Sequence, residues 1–264
     1  MAFVRTNGIV LHYRVQGRAG APAVALANSL GTDMRIWDEV IERIAGRYRV
    51  LSYDKRGHGL SDAPPGDYSL DDHVADLNGL LDHVGMSRIA LAGVSVGGLI
   101  AQGFALRHPE RLAALVLSDA VPQLGDTAMW NGRIEAIRRA GLGSIVEGIM
   151  ERWFSPDFRR TRPDELAGWR NMFLRGHVEG YCSSCTTLRD TDLRGQIGKI
   201  ATPTLVVVGE HDGSTPVAMV RACADAIPGA RFEILPDAGH IPAIEQPERL
   251  AVLMADFFKE AGYG

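Results

Sequence analysis

No apolar run in this sequence approaches the roughly 18 residues that a membrane span needs. Its opening stretch, MAFVRTNGIVLHYRV, has neither an apolar signal-peptide core nor a small-residue cleavage site. A cytoplasmic protein with no membrane partner is the expectation. A basic field is also missing: 28 Lys and Arg against 32 Asp and Glu give a formal net charge of -4, which argues against nucleic acid as a partner. Cysteine is scarce. An odd count of three (Cys182, Cys185 and Cys223) does not build a disulfide framework. Cys182 and Cys185 have C-x-x-C spacing, but no thioredoxin-like strand-to-helix turn surrounds them and no second pair completes a zinc site. They read as ordinary free thiols. Internal repeats and low-complexity segments are absent.

What is present is the composition of a globular enzyme-sized chain: 264 residues with 46% hydrophobic content, enough for one core carrying an insertion. Asn7-Gly8 between residues 2–5 and 9–16 signals a type I′ hairpin. Continuous apolar runs at 22–28, 48–53, 88–94 and 112–118 predict strands buried on both faces. Helical periods at 34–45, 69–84 and 96–107 alternate with them. From 121 to 196 the alternation stops, and only helical pieces are expected, near 127–140, 143–154, 163–173 and 178–189. Strands at 204–209 and 231–235 then alternate with helices at 217–226 and from 247. The pattern predicts an α/β fold: a mostly parallel sheet with helices on both faces, built from 1–120 and 197–264, with 121–196 inserted as a helical cap.

The chemistry-bearing segment is Gly93-Val94-Ser95-Val96-Gly97, between a buried strand and an apolar helix. This is the G-x-S-x-G nucleophile elbow in the context it requires. The flanking glycines allow a tight turn, the turn exposes the hydroxyl, and the Val96 N–H faces the oxygen of a bound carbonyl. A serine nucleophile needs a base. Of eight histidines, His240 has the most suitable position, in a loop between the last strand and the last helix. His58 and His108 sit in turns, and His177 in the cap. His12, His73 and His83 lie in the hairpin or on a helix face read as exposed. His211 adjoins a candidate acid without an orienting group of its own. Two acids end strands in the right chain order, Asp212 and Asp119. Asp212 is preferred because its strand should neighbour the one leading to His240, whereas Asp119 is expected to anchor the entry to the helical block. A second oxyanion donor belongs on Asn28-Ser29-Leu30-Gly31, most naturally the Leu30 N–H.

The elbow, the Arg56-Gly-His-Gly turn and the late Gly-His loop together resemble the α/β-hydrolase superfamily over essentially the whole chain. A narrower resemblance, to 3-oxoadipate enol-lactonases, rests on 27–32, 53–64, 97–102, 128–134, 151–154 and 179–181. The valines flanking Ser95 and the Cys182/Cys185 pair depart from that pattern. The resemblance implies that His240 takes the Ser95 proton, Ser95 attacks a lactone carbonyl, and the ring opens to an enolate that tautomerises. No cofactor or metal is required. A broader carboxylesterase, a cofactor-free perhydrolase and a hydrolase-fold receptor remain alternatives. Halide release and epoxide opening are disfavoured, since those enzymes carry aspartate at the elbow.

The inserted block holds Trp130, Trp153 and Trp169, and its cations are all arginine, with no lysine. An acidic substrate needs an inward guanidinium. Trp130 and Arg133 are three apart on a predicted helix and share a face. Arg133 and then Arg152, beside Trp153, are the candidate carboxylate ligands in a small-molecule site.

Overall fold

A computed structural model describes residues 2–264. Eight strands form one sheet: β1 (Ala2–Thr6), β2 (Ile9–Gln16), β3 (Ala23–Ala27), β4 (Arg49–Tyr53), β5 (Ile89–Val94), β6 (Leu112–Ser118), β7 (Thr204–Gly209) and β8 (Arg231–Leu235). Their spatial order is β1-β2-β4-β3-β5-β6-β7-β8. The β1–β2 and β2–β4 pairs are antiparallel, and every pairing from β4 to β8 is parallel. Asn7 and Gly8 take φ of 46° and 79°, as a type I′ turn demands. Every residue of β3, β5, β6 and β7 is buried, because helices cover both faces of the parallel region.

The helices are α1 (Asp38–Ile44), α2 (Leu70–Val84), α3 (Val96–Arg107), α4 (Thr127–Ala140), α5 (Val146–Trp153), α6 (Pro156–Thr161), α7 (Pro163–Leu174), α8 (Val178–Asp190), α9 (Val217–Ala226), α10 (Pro242–Glu245) and α11 (Pro247–Glu260). Helices α4 to α8 all fall between β6 and β7. No helix among the described residues is long and apolar enough to cross a membrane. Two helices, α6 and α10, were not expected from the sequence. Each is shorter than two turns, too short to show a period. Ser155 caps α6 by accepting the Phe158 N–H at 3.2 Å, with Pro156 following it.

His12 lies in the hairpin, as expected, and is 3% exposed, whereas His73 corrects the reading of an exposed helix face: it is 1% exposed. His12 Nδ1 pairs with Asp54 at 2.7 Å. Burial, reinforced by the nearby Arg56 and Lys55 charges, pushes His73 down to about 3, so its ring packs as a neutral group against Tyr68.

The sheet and α3 approach each other through glycine. A Cβ on Gly97 would stand 2.6 Å from the Ala27 carbonyl carbon and 2.9 Å from the Asn28 oxygen, both backbone atoms at the end of β3. Gly97→Ala is expected to lose about 1–3 kcal/mol through overpacking. The check is the urea midpoint at constant slope; an unchanged midpoint contradicts the close-approach account.

Candidate active site

Ser95 stands between β5 and α3 with φ 57° and ψ -120°, a region that residues bearing a Cβ rarely occupy. The surroundings enforce it. A Cβ on Gly93 would overlap the Gly97 carbonyl, and one on Gly98 would overlap the Ala120 side chain. The Ser95 N–H donates to Ser118 O of β6 at 2.9 Å, which fixes the turn to the neighbouring strand. Val96 opens α3, so its N–H has no partner one turn back and points from the positive end of the helix.

Opposite lies the loop after β3. The Leu30 N–H has no protein partner among the described residues. The residues on either side of it are pinned. Lys55 Nζ donates to Ser29 O at 2.5 Å, and the Gly31 N–H donates to His58 Nε2 at 2.8 Å. His58 Nδ1 lies 3.1 Å from Arg56 O and so carries the ring proton. Burial pushes both Lys55 and His58 well below their ordinary values. Lys55 was not singled out in the sequence, and His58 was read only as a turn residue. Their common role, holding a loop 26 and 27 residues upstream, shows only in three dimensions.

His240 and Asp212 meet at the carboxyl ends of β8 and β7. His240 Nδ1 is 2.9 Å from both Asp212 oxygens, and the two residues are 2% and 7% exposed. Asp212 also accepts the Ser214 N–H at 2.7 Å, the Thr215 N–H at 2.9 Å and the Thr215 hydroxyl at 2.6 Å. Burial alone would raise this carboxyl. The charge and hydrogen bond of His240, with the Thr215 bonds, outweigh burial and hold it below its ordinary value. Among the described residues His240 Nε2 has no protein hydrogen bond, and the ring lines the same cavity as Ser95. No hydrogen bond joins the two side chains among the described residues; such contacts often tighten only in complex with substrate.

Asp119 requires a correction. It does not anchor the helical block. Its carboxyl accepts the Gly209 N–H of β7 at 2.8 Å and the Ser118 hydroxyl at 2.6 Å, and its polar atoms gather with those of Asp212 and His240 within 4.8 Å. Burial first, and the Asp212 charge second, raise Asp119 well above the carboxylate range. Of two adjacent buried carboxyls only one ionises, and the one that holds the imidazole does so. His211 is exposed, with Glu210 and Asp237 close by, and no hydrogen bond among the described residues orients its ring.

The cavity above Ser95 has a volume of about 210 Å³ and is lined by Ser29, Leu30, Trp130, Arg133, Arg152, Trp153, Tyr181, Ser214 and His240, among others. Sequence reasoning missed Ser29, Tyr181 and Ser214 here. Tyr181 was visible only as part of a resemblance. Trp130 and Arg133 share a face as expected, the guanidinium 4.8 Å from the ring centroid. In the same block Arg138, Arg160, Arg162, Arg170, Arg189 and Arg194 each pair with a carboxylate. Arg133 and Arg152 pair with none among the described residues. Burial and the Arg133 charge lower the Arg152 pKa: two half-buried cations face one cavity without a counter-charge. Trp169 lines a different groove, beside α7. A cavity of about 460 Å³ lies on the other side of Tyr181 and Gly31, but it contains neither Ser95 nor His240. The three thiols are free and buried, and burial pushes Cys223 up to about 12, which leaves it an unreactive thiol.

A family model described as alpha/beta hydrolase fold matches residues 22–247. The chain is 34% identical over 240 residues to 3-oxoadipate enol-lactonase 2 of Acinetobacter baylyi, covering 91% of this chain and 90% of that protein. The crystal structure of the enol-lactonase from Burkholderia xenovorans LB400 superposes with a TM-score of 0.95 at 35% identity, covering 98% of this chain and all of that one. A thermophilic esterase from Thermogutta terrifontis, solved with malate bound, superposes at 0.93 with 30% identity, covering 98% of each chain.

The two carboxyls make opposite contributions to stability with pH. The raised Asp119 is neutral when folded, so its contribution is fully present below its unfolded pKa and is lost as pH rises toward the folded one. The depressed Asp212 contributes above its unfolded pKa and loses that contribution on acidification. Asp119→Asn is therefore expected to lose less stability than wild type between about pH 4 and about pH 7. Urea denaturation of both proteins at the two pH values checks this; a wild-type minus variant difference independent of pH contradicts a neutral Asp119.

Proposed function

The chain belongs to the α/β-hydrolase fold family, and from that premise we propose that it opens a small carboxylated lactone, with Ser95 as nucleophile, His240 as base and Asp212 orienting the imidazole. One observation carries the reading: Ser95, His240 and two unpaired guanidiniums, Arg133 and Arg152, line a single cavity of about 210 Å³. That volume suits a small ring. Bringing a carboxylate into a pocket walled by Trp130 and Trp153 costs several kcal/mol unless a cation meets it, and here two cations stand without a carboxylate among the described residues, Arg133 lying over the Trp130 ring. The enol-lactone of 3-oxoadipate matches these features. The activity named for the 34% and 35% identical relatives supports it. In this reading 121–196 is a cap that selects the substrate, and the protein works in the cytoplasm in aromatic-compound breakdown.

His240 Nε2 takes the Ser95 proton as Oγ bonds to the lactone carbonyl carbon. The Leu30 and Val96 N–H groups hold the resulting oxyanion, and Asp212 stabilises the imidazolium. The ring C–O bond then breaks. The leaving oxygen departs as an enolate, takes the proton from His240 and tautomerises to a ketone, which removes the nucleophile that would re-close the ring. Water gives a proton to His240 and attacks the acyl carbon, releasing the free acid and regenerating Ser95. Tyr181, raised by burial, stays a neutral phenol beside the guanidiniums. A broader carboxylesterase is the second reading, favoured by the 30% identical esterase; charge preference separates the two.

Ser95→Ala is expected to lower kcat on the enol-lactone by on the order of 10⁶ with the fold intact. Retention of a tenth of the wild-type rate contradicts a covalent serine. Wild-type turnover is expected on the order of 1 s⁻¹ or more; binding without turnover would instead mark a receptor.

Arg133→Met and Arg152→Met are each expected to lower kcat/KM for the carboxylated lactone by about ten- to 150-fold, the worth of one charge-assisted hydrogen bond. p-Nitrophenyl acetate, which has no carboxylate, should be hydrolysed nearly as well as by wild type. Equal losses on both substrates contradict the carboxylate clamp and favour the broader esterase.

A further inference from the structure

Glu245, in α10, is a buried carboxylate that the proposed reaction does not use. It is 8% exposed, and burial raises its pKa against opposing hydrogen bonds from Ser155 and Gly239 and the charge of Arg162. Its carboxylate bridges two different parts of the chain. Oε1 accepts the Gly239 N–H at 2.7 Å and shares the Ser155 N–H at 3.3 Å. Oε2 accepts the Ser155 hydroxyl at 2.6 Å and the Ser155 N–H at 3.1 Å. Gly239 immediately precedes His240. Ser155 follows, by two residues, the end of α5 that carries Arg152 and Trp153 into the cavity wall.

Two backbone bonds run in parallel with this bridge. The His240 N–H donates to Trp153 O at 2.9 Å, and the Gly213 N–H, next to Asp212, donates to Arg152 O at 3.3 Å. The segments touch so closely that a Cβ on Gly239 would stand 2.6 Å from Trp153 O and 2.7 Å from Glu245 Oε1. Three donors converge on Glu245. A carboxylate, with acceptor capacity on both oxygens, satisfies all three, whereas the amide of glutamine would set an N–H against one of them.

We infer that Glu245 is a positioning residue that fixes the Arg152–Trp153 end of α5 in register with the loop of His240, so that the guanidinium and the imidazole are placed by one joint. This rests on the roles proposed for His240 and Arg152. A joint of this kind has two separable outputs. On the Gly239 side it acts on the base, and therefore on any ester. On the Ser155 side it acts on the placement of Arg152, and therefore on the carboxylated substrate alone.

The test measures kcat and KM of full-length wild type, Glu245→Gln and Ser155→Ala on the enol-lactone and on p-nitrophenyl acetate, at a temperature where circular dichroism shows each variant folded. Glu245→Gln is expected to lose on the order of a hundredfold in kcat on both substrates, as misplacement of a catalytic group does, with an added rise in KM for the lactone. Ser155→Ala is expected to raise KM for the lactone several-fold and leave kcat on p-nitrophenyl acetate close to wild type. A folded Glu245→Gln with a lowered melting temperature but wild-type kinetics overturns the inference and makes the carboxylate a stabilising group only. If Glu245→Gln does not fold, Ser155→Ala decides: an unchanged KM for the lactone overturns the inference. Wild type inactive on both substrates overturns the proposed function and this inference with it; active wild type with an indifferent Glu245→Gln overturns the inference alone.

Discussion

The candidate site depends on a backbone conformation that residues with a side chain avoid. Ser95 at φ 57° carries a cost on the order of 1–3 kcal/mol, and it persists because its environment permits nothing else. Gly93, Gly97 and Gly98 let β5, α3 and the end of β3 come within contact distance, and the Ser95 N–H is committed to β6. The strain gives exposure: in a sheet buried on both faces, the turn lifts one hydroxyl to the carboxyl edge. The same edge receives the β7 and β8 loops, because in a parallel sheet all carboxyl ends lie on one side. Asp212 and His240 come close to Ser95 for that reason, although more than 100 residues separate them from it in sequence.

Charge is arranged around this edge in two layers. Below the cavity, one ionised carboxylate serves one imidazole, and the second carboxyl, Asp119, is kept neutral by burial and by its ionised neighbour. A second negative charge there would compete for the imidazole proton. Above, Arg133 and Arg152 are left without carboxylates in a block whose other arginines are largely paired. In the proposed function an anion in the cavity relieves their mutual repulsion, and the cavity's volume of about 210 Å³ suits a small one. The half-charged, half-apolar wall would then hold the carboxylate of a small ring while its carbonyl faces Ser95.

Much of the fold was legible in the sequence because buried parallel strands and amphipathic helices carry strong periods. The strands at 89–94, 112–118 and 204–209, the hairpin at Asn7-Gly8 and the strand–turn–helix at Ser95 all follow from local pattern. The short helices α6 and α10 did not, since fewer than two turns give no period. The burial of His12 had no local signal because its partner, Asp54, is distant in sequence; that of His73 was missed because a histidine on a helix reads as polar, whereas here it is a neutral ring packed against Tyr68. Within the site, chain order and strand ends pointed to Asp212 and His240, and the structure brings the two to 2.9 Å. The neutral state of Asp119, the Lys55 and His58 pins on the Leu30 loop and the Glu245 bridge had no local signal. Each depends on segments that meet only after the sheet has formed.

In the proposed reaction an acyl group passes through Ser95. Rapid acid quench of the protein with excess p-nitrophenyl acetate, followed by mass spectrometry of the intact chain and its peptides, tests it most directly. An acetyl adduct is expected on the peptide containing Ser95, at up to one per chain, that decays with water at the steady-state rate. Turnover with no adduct on that peptide, or an adduct on another residue that keeps kinetic pace with turnover, contradicts it.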